Sequence, residues 1–272
     1  MNAHYTHSLI AAAAAALALA AAHMQRVHGP RPAWARCAEW AVLVVFGAWL
    51  GGRIAYAALY GGFAWAHVFD GAAGGSAWSG AALGAIAFGA CAARLLFGAG
   101  WRATWPHVLC VFAVALPIVA AGATIGCAGL ANAGCGYGVS LATLADWPPL
   151  LAAELPDIYG LAGPRANIPL FLALAAVLTG GVVGSGWRRP DGGFWPALAF
   201  WAAAMALIGL LRADAALPIA GMRAPVVADT AVAVFAVWRA VRVAGVMAAD
   251  RQMRRRGVLP SAEEETVYVD RA

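Results

Sequence analysis

Apolar residues gather along this chain into seven long runs, approximately Ser8–Met24, Cys37–Tyr60, Ala77–Gly98, His107–Gly126, Ile168–Trp187, Phe194–Leu211 and Ala224–Ala248. Runs of about 20 residues with almost no charge predict helices that each cross a hydrocarbon core about 30 Å thick. The first run is mostly alanine and has the look of a secretory leader. However, no arginine or lysine precedes it, while Arg26, Arg31 and Arg36 follow it, the reverse of a leader's charge order. It is expected to be a retained span that enters from outside.

The polar positions between the runs set the expected orientation. Arg26, Arg31 and Arg36 follow the first span, Arg94 and Arg102 the third, and Arg188 and Arg189 the fifth. Arg239, Arg242, Arg251, Arg254, Arg255, Arg256 and Arg271 belong to the last span and the tail, so fourteen arginines fall on one side. The other side holds Arg165, Arg212 and Arg223, with Arg53 set apart inside a span. Cytoplasmic segments are enriched in positive charge, so the N-terminus is expected outside and the C-terminus in the cytoplasm. The expected fold class is an all-α integral membrane protein of about seven transmembrane helices. Residues 1–256 form one membrane domain with an outer loop at about 127–167, and 257–272 form a flexible cytoplasmic tail.

Composition agrees with this class. Apolar residues make up 63% of the chain and charged residues 11%, which a water-solvated domain of this length would not carry on its surface. The net charge of +5 comes entirely from arginine, mostly beside apolar runs, and reads as topology signal and headgroup contact rather than nucleic-acid binding. The cysteines Cys37, Cys91, Cys110, Cys127 and Cys135 show neither CxxC nor zinc spacing, so no metal and no cofactor is implied. Cys127 and Cys135 lie close enough in sequence for a disulfide at the outer face, but the stronger reading is small thiols packed between helices. Glycines pair at four-residue spacing, Gly47 with Gly51, Gly80 with Gly84, and Gly180 with Gly184, which predicts close helix approach in lipid.

Candidate chemistry is sparse. Arg53 lies inside a span about two turns from its end at Tyr60, where a guanidinium either snorkels to headgroups or grips a lipid phosphate in a cavity. Asp70, Asp229, Arg165, Arg212 and Asp214 are expected toward the same outer side. Asp70 and Asp229 read as structural polar partners, because a lone intramembrane acid does not stay charged cheaply. The histidines His4, His7, His23, His28, His67 and His107 form no dyad with an acid.

Several blocks in order resemble the bacterial prolipoprotein diacylglyceryl transferases, from about Ala41 to Val246. Gly51-Gly52-Arg53-Ile54-Ala55-Tyr56 with Tyr60 is similar to that family's glycine-glycine-arginine-aliphatic-x-tyrosine segment. Asp70 through Gly84 resembles its glycine-rich stretch, and Ala133-Gly134-Cys135-Gly136-Tyr137-Gly138 the end of its signature loop. Asp157-Ile158-Tyr159-Gly160 through Arg165 resembles the approach to the next span, and Leu210-Leu211-Arg212-Ala213-Asp214 the motif closing the sixth.

The resemblance implies an inner-membrane protein that transfers diacylglyceryl from phosphatidylglycerol to the thiol of a lipobox cysteine in a preprolipoprotein. Its substrate-binding set here would be Arg53, Tyr56, Tyr60, Arg165 and Arg212. No catalytic residue carries over. Ser79 stands at the family's histidine. Cys127, Leu130 and Cys135 stand at the signature loop's arginine, asparagine and glutamate, and Trp201, Met205 and Gly209 at a tyrosine, arginine and glutamate. Ala166, Pro169, Phe171 and Leu172 replace four further polar groups. Three functions stay open: a transferase on substituted residues, a lipid-binding or scaffolding relative without the reaction, and an unrelated small transporter. The partners implied are phosphatidylglycerol or another anionic phospholipid and a lipobox protein.

Overall fold

The computed structural model describes residues 33–60, 68–69, 76–98, 101–128, 137–142, 147–148, 150–157, 159–186, 193–213 and 216–255. The first expected span at Ser8–Met24, Asp70, Asp214, Cys135 and the tail at 257–272 lie outside them.

Six helices follow the apolar runs: α1 Ala33–Tyr60, α2 Trp78–Phe97, α3 Trp101–Ala128, α4 Ile168–Gly186, α5 Phe194–Leu210 and α6 Ala224–Arg255. Within them, Glu39–Tyr60, Trp78–Leu96, Ile168–Gly186 and Ala224–Ala249 are long and apolar enough to cross a membrane, and Leu109–Gly122 and Phe194–Leu210 are shorter apolar helices. Val42, Val177 and Val241 leave 67%, 73% and 65% of their surface uncovered by protein. Side chains of this kind on helices of this length call for lipid as the surrounding solvent. The chain is an integral membrane protein with at least these four spans.

Neighbouring helices pack in sequence order, α1 on α2, α4 on α3 and α5, and α5 on α6. The chain therefore goes up and down, so that the ends of α1, α3 and α5 and the starts of α2, α4 and α6 gather at one end of the bundle. We call this the cap end. The tightest pairing is α1 with α2. A methyl added to Gly84 would overlap the Gly47 carbonyl, and one added to Gly51 would lie 2.9 Å from the Gly84 Cα. The third pair named from spacing behaves differently. Gly184 has nothing within contact range of an added methyl, and Gly180 meets only Pro117 Cβ at 3.9 Å.

Two apolar cores stack along the bundle. Trp40, Phe112, Phe194 and Trp195 fill the half away from the cap, where the Trp40 indole donates to the Gly89 carbonyl at 3.0 Å. Ile168, Trp201, Met205 and Ile208 fill the half beneath the cap.

The cap contains two antiparallel hairpins that an all-helical reading of the sequence did not include. β1 Ala152–Pro156 pairs with β2 Ala162–Ala166, and β3 Pro218–Ile219 with β4 Met222–Arg223. The strip at 137–141 joins the larger hairpin to the segment leaving α5. Val139 N–H donates to Leu211 and Ala213 N–H to the Tyr137 carbonyl, while Leu141 and Ala166 N–H complete a ladder between strip and β2. Backbone groups this close to lipid need partners within the protein, and the hairpins supply them.

Candidate functional site

The site grows from the α1–α2 crossing. Because the glycine face lets the two backbones touch, Ala77 N–H donates to the Gly52 carbonyl at 3.0 Å and α2 begins directly beside Arg53. Arg53 is 4% exposed, and its Nε donates to the Val68 carbonyl at 3.3 Å. It sits seven residues before the end of α1, about 10 Å of helix below the cap end. One and two turns further on, Tyr56 and Tyr60 stack with ring centroids 4.7 Å apart, a small aromatic wall on the same helix.

Trp78 carries the site across to the other helices. Its ring meets Trp201 of α5 edge-on at 6.1 Å, and its buried indole N–H faces the Asp229 carboxyl without closing a bond of good geometry. Asp229 is 4% exposed, five residues into α6 and about 8 Å of helix below the cap end. Arg212, on the segment leaving α5, is the charge that faces this carboxyl. An acid placed here needs such company, since burying an unpaired carboxylate costs several kcal/mol, on the order of a large fraction of a domain's stability. Ser79 is buried one residue beyond Trp78.

The cap arginines divide between two tasks. Arg165 on β2 donates through Nη1 to the Gly138 carbonyl at 3.2 Å and through Nη2 to the Asp157 carboxylate at 3.4 Å. It fastens the larger hairpin to the strip. Its Nε is buried with no hydrogen-bond partner among the described residues. Asp157 closes the hairpin turn, its carboxylate accepting from the Tyr159 and Leu161 amides at 2.8 and 2.9 Å while Gly160 takes a positive φ of 83°. The Leu161 amide is the main reason the Asp157 pKa lies below its ordinary value of 3.8; partial burial opposes it, and the Tyr159 amide and Arg165 assist.

Arg223, which sequence reading counted only as a charge, is the C-terminal cap of α5. Its Nη1 donates to the Gly209 carbonyl at 2.6 Å and the Arg212 carbonyl at 2.8 Å, which fixes the segment that carries Arg212. The hairpin that presents Arg223 turns through Ala220 and Gly221, both at positive φ. That Ala-Gly pair between two short apolar stretches was the available signal.

The structure thus brings Arg53, Trp78, Asp229 and Arg212 into one layer below the cap and puts Tyr56 and Tyr60 at its α1 edge. Arg165 sits in the cap above, engaged with Asp157 and Gly138. Trp201 and Met205 of α5 are apolar and packed, buried in the core beneath the cap. Gly209 lies against α6, where a methyl would come within 2.8 Å of Val226 Cγ2. The arrangement offers fixed positive charge and an aromatic wall within about 10 Å of the cap end, and one buried carboxyl. Neither a scan against family models nor a search of curated proteins returns a match to this chain.

Proposed function

We propose that this protein binds an anionic phospholipid, with phosphatidylglycerol as the leading candidate, by its phosphate at the cap end of the bundle. The observation that carries the proposal is Arg53, a fully enclosed arginine about two turns below the cap on an apolar helix. A guanidinium held at that depth, already donating to the Val68 carbonyl, keeps its positive charge, and the phosphate of a lipid whose chains lie along the bundle is an anion that such a charge attracts. Arg212 supplies a second positive group in the same layer, and Tyr56 and Tyr60 flank the route along α1. Arg165 acts on this site through the cap it fastens.

The finer reading is a seven-span bacterial inner-membrane protein with its N-terminus outside. In that orientation the fourteen-to-three arginine distribution puts the cap end in the outer leaflet. The resemblance to the diacylglyceryl transferases supplies the lipid class and the leaflet. The apolar packing at Trp201 and Met205 favours a relative that keeps the lipid site without the transfer reaction. One observation favours the transfer reading instead, namely Asp229, a buried carboxyl in the same layer able to accept a thiol proton. A transporter reading has less support, because the buried charges lie near one end and not at mid-depth.

The test is to purify the full chain in detergent, supply phosphatidylglycerol and a lipobox peptide, and look by mass spectrometry for retained lipid and for a thioether-linked diacylglyceryl adduct. Retained phosphatidylglycerol that falls in Arg53→Ala but not in Arg94→Ala, with no adduct, is the expected result. Equal lipid retention in both variants refutes the phosphate site. An adduct abolished by Asp229→Asn establishes the transfer reading in its place.

A further inference from the structure

At the end of the bundle away from the cap, α5 begins and α6 runs antiparallel beside it. Trp195 on α5 and Arg239 on α6 each lie fifteen positions from the cap-end terminus of their helix, about 22 Å along the axis, so they meet at one level. The Arg239 guanidinium carbon is 5.0 Å from the centroid of the Trp195 ring and 5.8 Å from that of Trp238. One turn further along α6, the Arg242 guanidinium is 5.3 Å from the Trp238 ring. Phe235 links the two indoles, edge-on to Trp195 at 5.9 Å and tilted against Trp238 at 5.7 Å.

This arrangement has a chemical consequence. An indole beneath a guanidinium orients it and leaves the N–H donors around its rim directed outward. Two guanidinium groups three residues apart share one ring, and among the described residues neither forms an ion pair with a carboxylate. Two like charges held side by side attract an anion with several acceptor oxygens. On the face of α6 that carries Arg242, the surface toward the cap is apolar and half exposed at Trp238 and Phe235, one and two turns away, a strip for an acyl chain rather than for water.

We infer that Arg239 and Arg242, held on the indoles of Trp195 and Trp238, form a binding site for the phosphate of an anionic phospholipid in the leaflet opposite the cap. The site is separate from the one around Arg53, lying about 12 Å further from the cap end along the bundle axis, and does not depend on it. The exposed rings of Trp238 and Phe235 are what select a lipid over free phosphate, since they place chain and headgroup in register along one face of α6.

The experiment uses the full chain in micelles of phosphatidylcholine doped with phosphatidylglycerol, with native mass spectrometry counting each retained lipid. Arg239→Gln/Arg242→Gln is expected to weaken retention of one phosphatidylglycerol by about tenfold, leaving phosphatidylcholine unchanged, whereas Arg94→Gln has no effect. Arg53→Ala removes a different equivalent, so combining it with the double variant gives additive losses. Failure of the cap-end site alone would therefore appear as an Arg53→Ala protein indistinguishable from wild type while the double variant still loses its lipid. Where the double variant does not fold, Arg242→Gln, at an exposed position, gives the same readout with a loss of a few-fold. Wild-type retention in the Gln variants, or equal loss of both lipids, overturns the inference. Displacement of the phosphatidylglycerol by millimolar inorganic phosphate overturns the lipid assignment in favour of a free-phosphate site.

Discussion

Replacing Gly84 by alanine adds a single methyl group, and the structure specifies where it goes. It would overlap the Gly47 carbonyl and stand 3.0 Å from the Gly51 Cα, against backbone on both sides. No flexible side chain is present to yield, so α1 and α2 must separate by about 1 Å along the most closely packed helix pair of the bundle. Overpacking of this kind costs about 1–3 kcal/mol. Alanine returns only about 0.5–1 kcal/mol through helix propensity. Net destabilisation of about 1–2 kcal/mol follows. The separation would also pull Ala77 N–H from the Gly52 carbonyl and shift the α2 start beside Arg53, so lipid retention should fall together with stability. Gly184→Ala is the matched control, because an added methyl there meets nothing; its helix gains about 0.5–1 kcal/mol with nothing to oppose it. Reversible unfolding in mixed micelles, followed by circular dichroism, measures both variants. Equal stabilities for Gly84→Ala and Gly184→Ala would refute the assignment of Gly47, Gly51 and Gly84 to a direct backbone contact.

Arg223→Gln removes a charged donor from the Gly209 and Arg212 carbonyls, and should cost about 1.5–3 kcal/mol with faster amide exchange over 208–213. Exchange there at the wild-type rate would contradict the capping role. Asp157 titrates below its ordinary value in the folded protein, so its contribution is present above the unfolded pKa and is lost as pH falls through the lower folded one. Asp157→Asn should therefore raise proteolytic cleavage in the 150–166 hairpin at neutral pH and bring it close to wild type in strong acid. A wild-type cleavage rate at neutral pH would show that the turn does not rely on the carboxylate.

The helices were legible in the sequence and the cap was not. Runs of about 20 apolar residues have one stable arrangement in lipid, and the expected limits Ile168–Trp187 and Phe194–Leu211 differ from the observed helices by one residue each. The hairpin strands Ala-Ala-Glu-Leu-Pro and Ala-Gly-Pro-Arg-Ala have no alternating pattern and no β-branched residue. They pair because the neighbouring strip needs hydrogen-bond partners, a requirement set by the assembled bundle. Glycine spacing was equally ambiguous. Gly47–Gly51 and Gly180–Gly184 look alike along the chain, and only the first pair faces another backbone at close range. Within the site, charge in an apolar run singled out Arg53 but left open whether it snorkels or is enclosed. The meeting of Trp78, Asp229 and Arg212 did not, because it joins three segments more than a hundred residues apart at its extremes. Arg165 was expected to bind substrate, and its observed partners are Gly138 and Asp157.

The central claim is an anionic lipid held by its phosphate in the layer of Arg53 and Arg212. Photo-crosslinking tests it most directly, using phosphatidylglycerol with a diazirine in the headgroup and mapping the labelled residues by mass spectrometry. Labels concentrated on 50–60 and 209–223, and lost in Arg53→Ala, are the predicted result. Labels spread evenly over the lipid-facing helices and unchanged in that variant would contradict the claim.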